Sequence, residues 1–122
     1  MKFTDSHEWI ERETDDVARM GITSYAQKEL GDIVYVELPV VGRRVRARQE
    51  VAVLESTKAA ADVYSPLTGT IVEVNTRLND APEQVNQSSE AEGWICKIHF
   101  SDPEEWDSLM DREAYQAMLN GA

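Results

Sequence analysis

The sequence predicts a mainly β protein: a sandwich or flattened barrel of two related halves, with a short helix near residues 24–30 and helices at the C-terminus. Three observations carry this. Short runs of alternating apolar residues recur along the chain. Proline and glycine punctuate them at close intervals. The spacing turns helical after Asp102. At 122 residues, 42% of them hydrophobic, the chain suits one domain, 1–122, with one modest core.

In chain order, Val17 to Ile22 alternates, with Ala18, Met20 and Ile22 on one face. Thr23 or Ser24 can then N-cap a short helix through Leu30, and Gly31 supplies its stop. Ile33 to Leu38 reads as a strand with Val34, Val36 and Leu38 together, followed by Pro39 and Gly42. Val45 to Glu55 is one extended run, on which alternation puts Arg44, Arg46 and Arg48 on one face. That basic face is either a solvated edge protected against strand pairing or a docking patch. Asp62-Val63-Tyr64 leads into the turn Ser65 to Gly69, and Thr70 to Val74 is a strand with Val72 and Val74 facing together. Residues 75–93 are polar and loop-like, with a helical turn at Pro82 to Val85 that Asp80 can cap. Trp94 to Ile98 alternates, with Trp94, Cys96 and Ile98 on one face. The helical segment covers about 102–120. Asp102, Pro103 and Glu105 make a capping-box arrangement, Trp106, Leu109 and Met110 an apolar stripe, and Asp111 a second cap. Trp9, Trp94 and Trp106 are expected core anchors. Strand, Pro-Gly turn and strand occur on both sides of Lys58, a faint echo of two halves.

Composition excludes much chemistry. Twenty-three acidic against twelve basic residues give a net charge of -11, which disfavours nucleic acid and anionic membranes. No apolar run approaches the roughly 20 residues that span a bilayer. The N-terminus has neither a signal-peptide nor a transit-peptide pattern. A single cysteine, Cys96, permits no internal disulfide, which suits a reducing, cytoplasmic compartment or an organellar matrix. It reads as a core residue. There is no GxGxxG, Walker A, HExxH or GxSxG. The histidines, His7 and His99, lie at no metal-ligand spacing, so neither a zinc site nor an autonomous enzyme is expected. His7 beside Trp9 reads as a packing residue.

The informative segment is Glu55-Ser56-Thr57-Lys58-Ala59-Ala60-Ala61-Asp62. Strand-like runs flank it, so Lys58 sits at a turn, with small neighbours leaving space around it. An amine on a flexible stem can take an amide-linked acid cofactor. Taken bare, the same lysine reads first as a solvated surface residue.

Further residues favour the cofactor. Glu55-Ser-Thr-Lys58-Ala followed by Asp62-Val-Tyr-Ser-Pro66-Leu-Thr-Gly69 resembles the attachment hairpin of lipoyl-bearing proteins. More narrowly, the chain is similar to the H proteins of the glycine cleavage system. Ser6-His7-Glu8-Trp9, Gly21-Ile22-Thr23, Ala26-Gln27, Leu30-Gly31-Asp32, Val36-Glu37-Leu38-Pro39, Val85-Asn86, Glu92-Gly93-Trp94 and Ser101-Asp102-Pro103 fall in that family's order. The resemblance covers essentially the whole of 1–122. Gln49, Ala91 and Cys96 depart from the family pattern.

The resemblance implies a lipoyl-domain-like fold, the barrel-sandwich hybrid, and a non-catalytic carrier. It implies lipoic acid in amide linkage on Lys58, as N6-lipoyllysine. The carrier takes an aminomethyl group from glycine decarboxylase (P protein) to aminomethyltransferase (T protein). Dihydrolipoyl dehydrogenase (L protein) reoxidises it. Glu55 is expected to serve recognition by the lipoylating enzyme. Ser6, Glu8 and Asp62 are expected to line a cleft for the loaded arm, whose amine is cationic when protonated. A monomer is expected from the high negative charge. The alternatives are a lipoyl-relay or regulatory H-like protein, and a lipoyl carrier of another multienzyme complex.

Overall fold

The computed structural model describes residues 1–121. The strands are β1 (Lys2–Phe3), β2 (Glu8–Arg12), β3 (Val17–Ile22), β4 (Ile33–Glu37), β5 (Arg44–Val45), β6 (Glu50–Ser56), β7 (Ala60–Tyr64), β8 (Gly69–Val74) and β9 (Cys96–Phe100). The helices are α1 (Ser24–Leu30), α2 (Arg77–Asp80), α3 (Gln84–Gln87), α4 (Pro103–Asp107) and α5 (Arg112–Leu119). Two open sheets form. One has six strands in the order β1-β2-β3-β9-β8-β5, the other three in the order β4-β6-β7. All the pairings are antiparallel.

One apolar cluster joins the sheets. Ile10, Met20, Ile71 and Ile98 come from the larger sheet, Val36, Leu54 and Val63 from the smaller. This is the expected sandwich. A satellite of Phe3, Trp9 and Tyr115 fastens the C-terminal helices to β1 and β2, with the Phe3 and Tyr115 rings stacked at 4.7 Å. Phe3 and Met110 exchange both backbone hydrogen bonds, at 2.8 and 2.9 Å. Trp9 is fully buried, and its Nε1 donates to the Ser89 carbonyl at 2.8 Å. Trp94 and Trp106 are half-buried and pack against the edges of the two clusters. Cys96 lies opposite Met20 across the β3–β9 ladder, fully buried, and desolvation pushes its thiol up to about 12.

Helix caps follow the sequence. The Thr23 side chain accepts from Ala26 N and begins α1, and Gly31 (φ +80°) ends it. Asp102 caps α4 and Asp111 caps α5. Elsewhere the alternation misleads. A register shift between Ile33 and Tyr35 puts Val34 outside at 55% exposure, while Val36 is buried. A second shift, between Ile71 and Glu73, buries Ile71 and exposes Val72. Both are β-bulges, which reverse the inside–outside phase.

The run 45–55 is broken by a turn in which Gln49 N donates to Arg46 O at 3.0 Å and Arg48 takes φ +71°. Arg44, Arg46 and Arg48 therefore share no strand face. Gln49 closes this turn with its side chain, Oε1 accepting from Arg46 N at 2.9 Å. Asp80 belongs to α2 and does not cap α3, whose start has no side-chain cap. Trp94 precedes β9, and Ile95 takes the core position there. The capping box at Asp102 is only half made. Glu105 instead accepts from Thr68 N at 2.8 Å and Thr68 Oγ1 at 2.7 Å, clamping α4 to the β7–β8 turn. Leu109 and Met110 lie beyond α4.

Candidate functional site: a lysine hairpin above a carboxylate cleft

Strands β6 and β7 form a hairpin with Glu55 opposite Ala60. Lys58 is exposed in its turn. Ser56 organises that turn. Its Oγ donates to Ala59 O and accepts from the amides of Lys58 and Ala59, all at 3.1 Å, while Ser56 N donates to Ala59 O at 2.8 Å. A hydroxyl of this kind stands in for the longer ladder a tight turn cannot make. Beside the turn, Thr57 N donates to Asp32 O at 3.0 Å, tying the tip to the segment between α1 and β4.

The lysine stem passes over Gly31. A Cβ there would lie 3.5 Å from Lys58 Cε and 3.9 Å from Nζ. Glycine is favoured by the positive φ, while a Cβ would meet the stem only at ordinary van der Waals distance. Glu55 is exposed on β6, three residues before the lysine. Among the described residues nothing buries the Lys58 side chain.

Ser6 and Glu8 meet Asp62, more than fifty residues on in sequence, around one cavity of about 180 Å³ between α1, β7 and the β1–β2 connection. Tyr25, Ala26 and Leu30 of α1 form its opposite wall. Glu8 is buried, at 2% exposure. Its Oε1 accepts from Thr4 Oγ1 at 2.5 Å and Ser6 Oγ at 2.6 Å, and its Oε2 accepts from Tyr64 N at 3.2 Å. Burial raises its pKa above the ordinary carboxylate value, and those hydrogen bonds oppose the shift without cancelling it. Asp62 is exposed on β7, two residues from Tyr64. A larger cavity, about 290 Å³, lies on the other side of Ser6 and Glu8, towards Arg48 and Glu105. It does not include Asp62.

The cleft rim is braced from the C-terminus. Tyr115 OH bonds His7 Nδ1 at 2.8 Å and Thr23 Oγ1 at 2.7 Å. The His7 ring lies 4.7 Å from that of Tyr25. His7 is thus a packing residue held in a left-handed turn, φ +72°. Strand β7 rises about 3.3 Å per residue, so Tyr64 stands about 13 Å along it from Ala60. Asp62 lies on β7 between Ala60, next to the hairpin turn, and Tyr64, whose amide donates to Glu8.

Sequence reasoning missed Ser56, Thr4 and the α1 wall. Ser56 had a local signal, a hydroxyl two residues before the turn lysine. Thr4 and the α1 wall had none, because their roles arise from contacts across the fold.

Among the described residues no group of three His, Cys, Asp or Glu side chains could hold a metal ion. No helix there is long and apolar enough to cross a membrane.

Comparison with known proteins agrees with this geometry. The family model described as Glycine cleavage H-protein matches residues 1–122. The glycine cleavage system H protein of Thermotoga maritima is 54% identical over 115 residues, covering 94% of this chain and 92% of that one. That of Rhodospirillum rubrum is 50% identical over 117 residues, covering 96% and 93%. The crystal structure of a glycine cleavage system H protein from Mycobacterium marinum superposes with a TM-score of 0.83 at 35% identity, covering 99% of this chain and 96% of that one. A hairpin lysine over a carboxylate cleft, a matching sandwich and half-identical relatives lead to one assignment: this chain belongs to the glycine cleavage H-protein family.

Proposed function

We propose that this protein is the lipoylated carrier of a glycine cleavage system, with lipoic acid in amide linkage on Lys58. The observation that carries the reading is the exposed lysine, fixed at a hydrogen-bonded hairpin tip and free of any ion pair among the described residues. When bound, the lipoyl group supplies the thiol–disulfide chemistry by which an aminomethyl unit is taken up at the P protein and given up at the T protein, with the L protein restoring the disulfide.

The chain's own residues present, hold and protect. Lys58 provides the amide nitrogen, and the small side chains of Ala59 to Ala61 leave room for the acylating enzyme. Glu55 marks the hairpin for that enzyme. Glu8 and Asp62 offer carboxylates to the cationic amine of the load, and Ser6 adds a hydroxyl. Such charge-assisted contacts are worth about 1.5–3 kcal/mol each, enough to bias the arm towards the cleft without trapping it. Tethering keeps the arm's effective concentration high at whichever partner is docked. The setting that fits is cytoplasmic or an organellar matrix, and the protein acts as a monomer.

The test is intact mass of protein made with lipoate present. One lipoyl group should be found on Lys58, and Lys58→Arg should carry none, since guanidinium is a poor nucleophile. Lipoate on another lysine, or none on the wild type, overturns the assignment.

A further inference from the structure

The attachment hairpin is held from outside its own two strands. Residues 31–33 leave α1 and enter β4, and Asn86 of α3 grips them at both ends. Its Nδ2 donates to Gly31 O at 2.8 Å, and its Oδ1 accepts from Ile33 N at 2.8 Å. The residue between, Asp32, has its side chain exposed, and its carbonyl accepts from Thr57 N, the residue before Lys58. One amide side chain therefore fixes the short segment that carries both the glycine under the lysine stem and the carbonyl that anchors the hairpin tip.

Asn86 is itself well fixed. Its neighbour Val85 is fully buried in the main core. Gly93 packs against α3 so closely that a Cβ would lie 2.7 Å from Gln84 O and 2.9 Å from Ser88 O. The 88–95 loop can reach α3 only because that position is glycine. A continuous line of contacts runs from the core through α3 and Asn86 to Asp32 and Thr57. Nothing else on the Gly31 carbonyl or the Ile33 amide competes among the described hydrogen bonds. Both Asn86 bonds join an uncharged side chain to backbone, so they do not titrate and do not weaken with salt.

We propose that Asn86 is a positioning residue for acylation of Lys58: it sets the height and direction of the hairpin tip that the lipoylating enzyme must recognise. This rests on Lys58 being the lipoyl site. Asn86 touches neither the lysine nor its acyl group; it acts through the backbone of residues 31–33. Loss of the clamp lets that segment fluctuate, so the enzyme meets a tip that only sometimes has the competent shape, and apparent affinity falls by the competent fraction.

The test uses the full unmodified chain with Asn86→Ala, which removes both bonds, and Asn86→Asp, which keeps an acceptor for Ile33 N and loses the donor to Gly31 O. Three measurements are made on each. The first is enzymatic lipoylation by a purified lipoylating enzyme. The KM for Asn86→Ala should rise about tenfold with kcat nearly unchanged, and Asn86→Asp should lie between it and the wild type. The second is acylation of Lys58 by a small activated ester, which needs no tip geometry and should proceed at the wild-type rate. The third is hydrogen exchange at the Thr57 amide. It should accelerate about tenfold in Asn86→Ala while the Ala18 and Ile98 amides in the six-stranded sheet keep their protection, which separates a loosened tip from a loosened fold.

Unchanged Thr57 exchange, or wild-type lipoylation kinetics alongside fast exchange, overturns the proposal. A uniform loss of protection in both variants also overturns it, because Asn86 is then a general stability residue. If wild-type protein is not lipoylated on Lys58, the proposed function fails on its own, and Thr57 exchange then decides whether Asn86 holds the hairpin.

Discussion

Glu8 is the residue whose surroundings matter most. A carboxylate at 2% exposure with three donors is a prepared partner for a cation. If it and Asp62 hold the load, Glu8→Gln and Asp62→Asn should each shorten the half-life of purified aminomethyl-loaded protein at neutral pH several-fold, leaving lipoylation intact. Equal half-lives in both single variants and the double variant would reduce the pair to structural and surface charge. Glu8 also links stability to pH. Burial raises its pKa in the folded state, so between the ordinary carboxylate value and the raised one the folded protein binds more protons than the unfolded chain. Its contribution to stability therefore grows as pH falls through that window from neutrality. Urea midpoints across this range should show Glu8→Gln with a less favourable response to acid than the wild type. Identical pH profiles would mean that Glu8 does not titrate in the window. The hairpin position of Lys58 and the grouping of Ser6, Glu8 and Asp62 around one cavity were legible because these residues sit in short motifs. Asn86 was visible only as a member of a matched segment and Gly31 only as a helix stop in another, since their contact with each other and that of Gly31 with the lysine stem are not encoded in linear spacing.

At the scale of elements, alternation located β3 and parts of β4, β6, β8 and β9, because one face of each meets the core, and the residues before the Ser65 turn marked the end of β7. It failed wherever a bulge changed the phase, as at Val34 and Val72. It also overlooked β1 and β2, one only two residues long and the other opening on the buried polar Glu8. The turn after β7 shows a tight constraint. Gly69 pairs with Phe100, and a Cβ there would collide with the His99 carbonyl and crowd Ile98 Cγ2 at 2.8 Å. Gly69→Ala should cost about 1–3 kcal/mol, since backbone must move to admit it. Gly42 is the control. It has φ +97° but open space around its missing Cβ, so Gly42→Ala should bring backbone strain alone, about 1 kcal/mol. Thermal midpoints of the two variants rank them, and an equal loss would show that the Gly69 contact relaxes freely.

At the scale of the molecule, charge is unevenly placed. The strands β4, β6 and β7, which carry the hairpin, contain Glu37, Glu50, Glu55 and Asp62 and no lysine or arginine. Arg43, Arg44, Arg46 and Arg48 gather just before β6 begins, at the end remote from Lys58. The acid excess around the rest of the chain repels itself in the compact state. Raising monovalent salt from about 0.01 M to about 0.15 M shortens the screening length from about 30 Å to about 8 Å. The thermal midpoint should therefore rise by a few degrees over that range. A midpoint that falls would show the surface ion pairs, such as Arg48 with Asp5 and Arg112 with Glu90, outweighing net repulsion.

The thiol sealed in the core has a consequence if Lys58 carries the proposed dithiol. A carrier with a dithiol on a flexible tether keeps that dithiol near its own surface at high local concentration, so a reactive cysteine there would be attacked first. Cys96 is fully enclosed, and its thiol is driven up to about 12, leaving almost no thiolate at neutral pH. It can neither resolve nor trap a tethered disulfide. The sequence holds no other cysteine, so the folded polypeptide offers no accessible thiol of its own to compete with a dithiol carried on Lys58 as proposed.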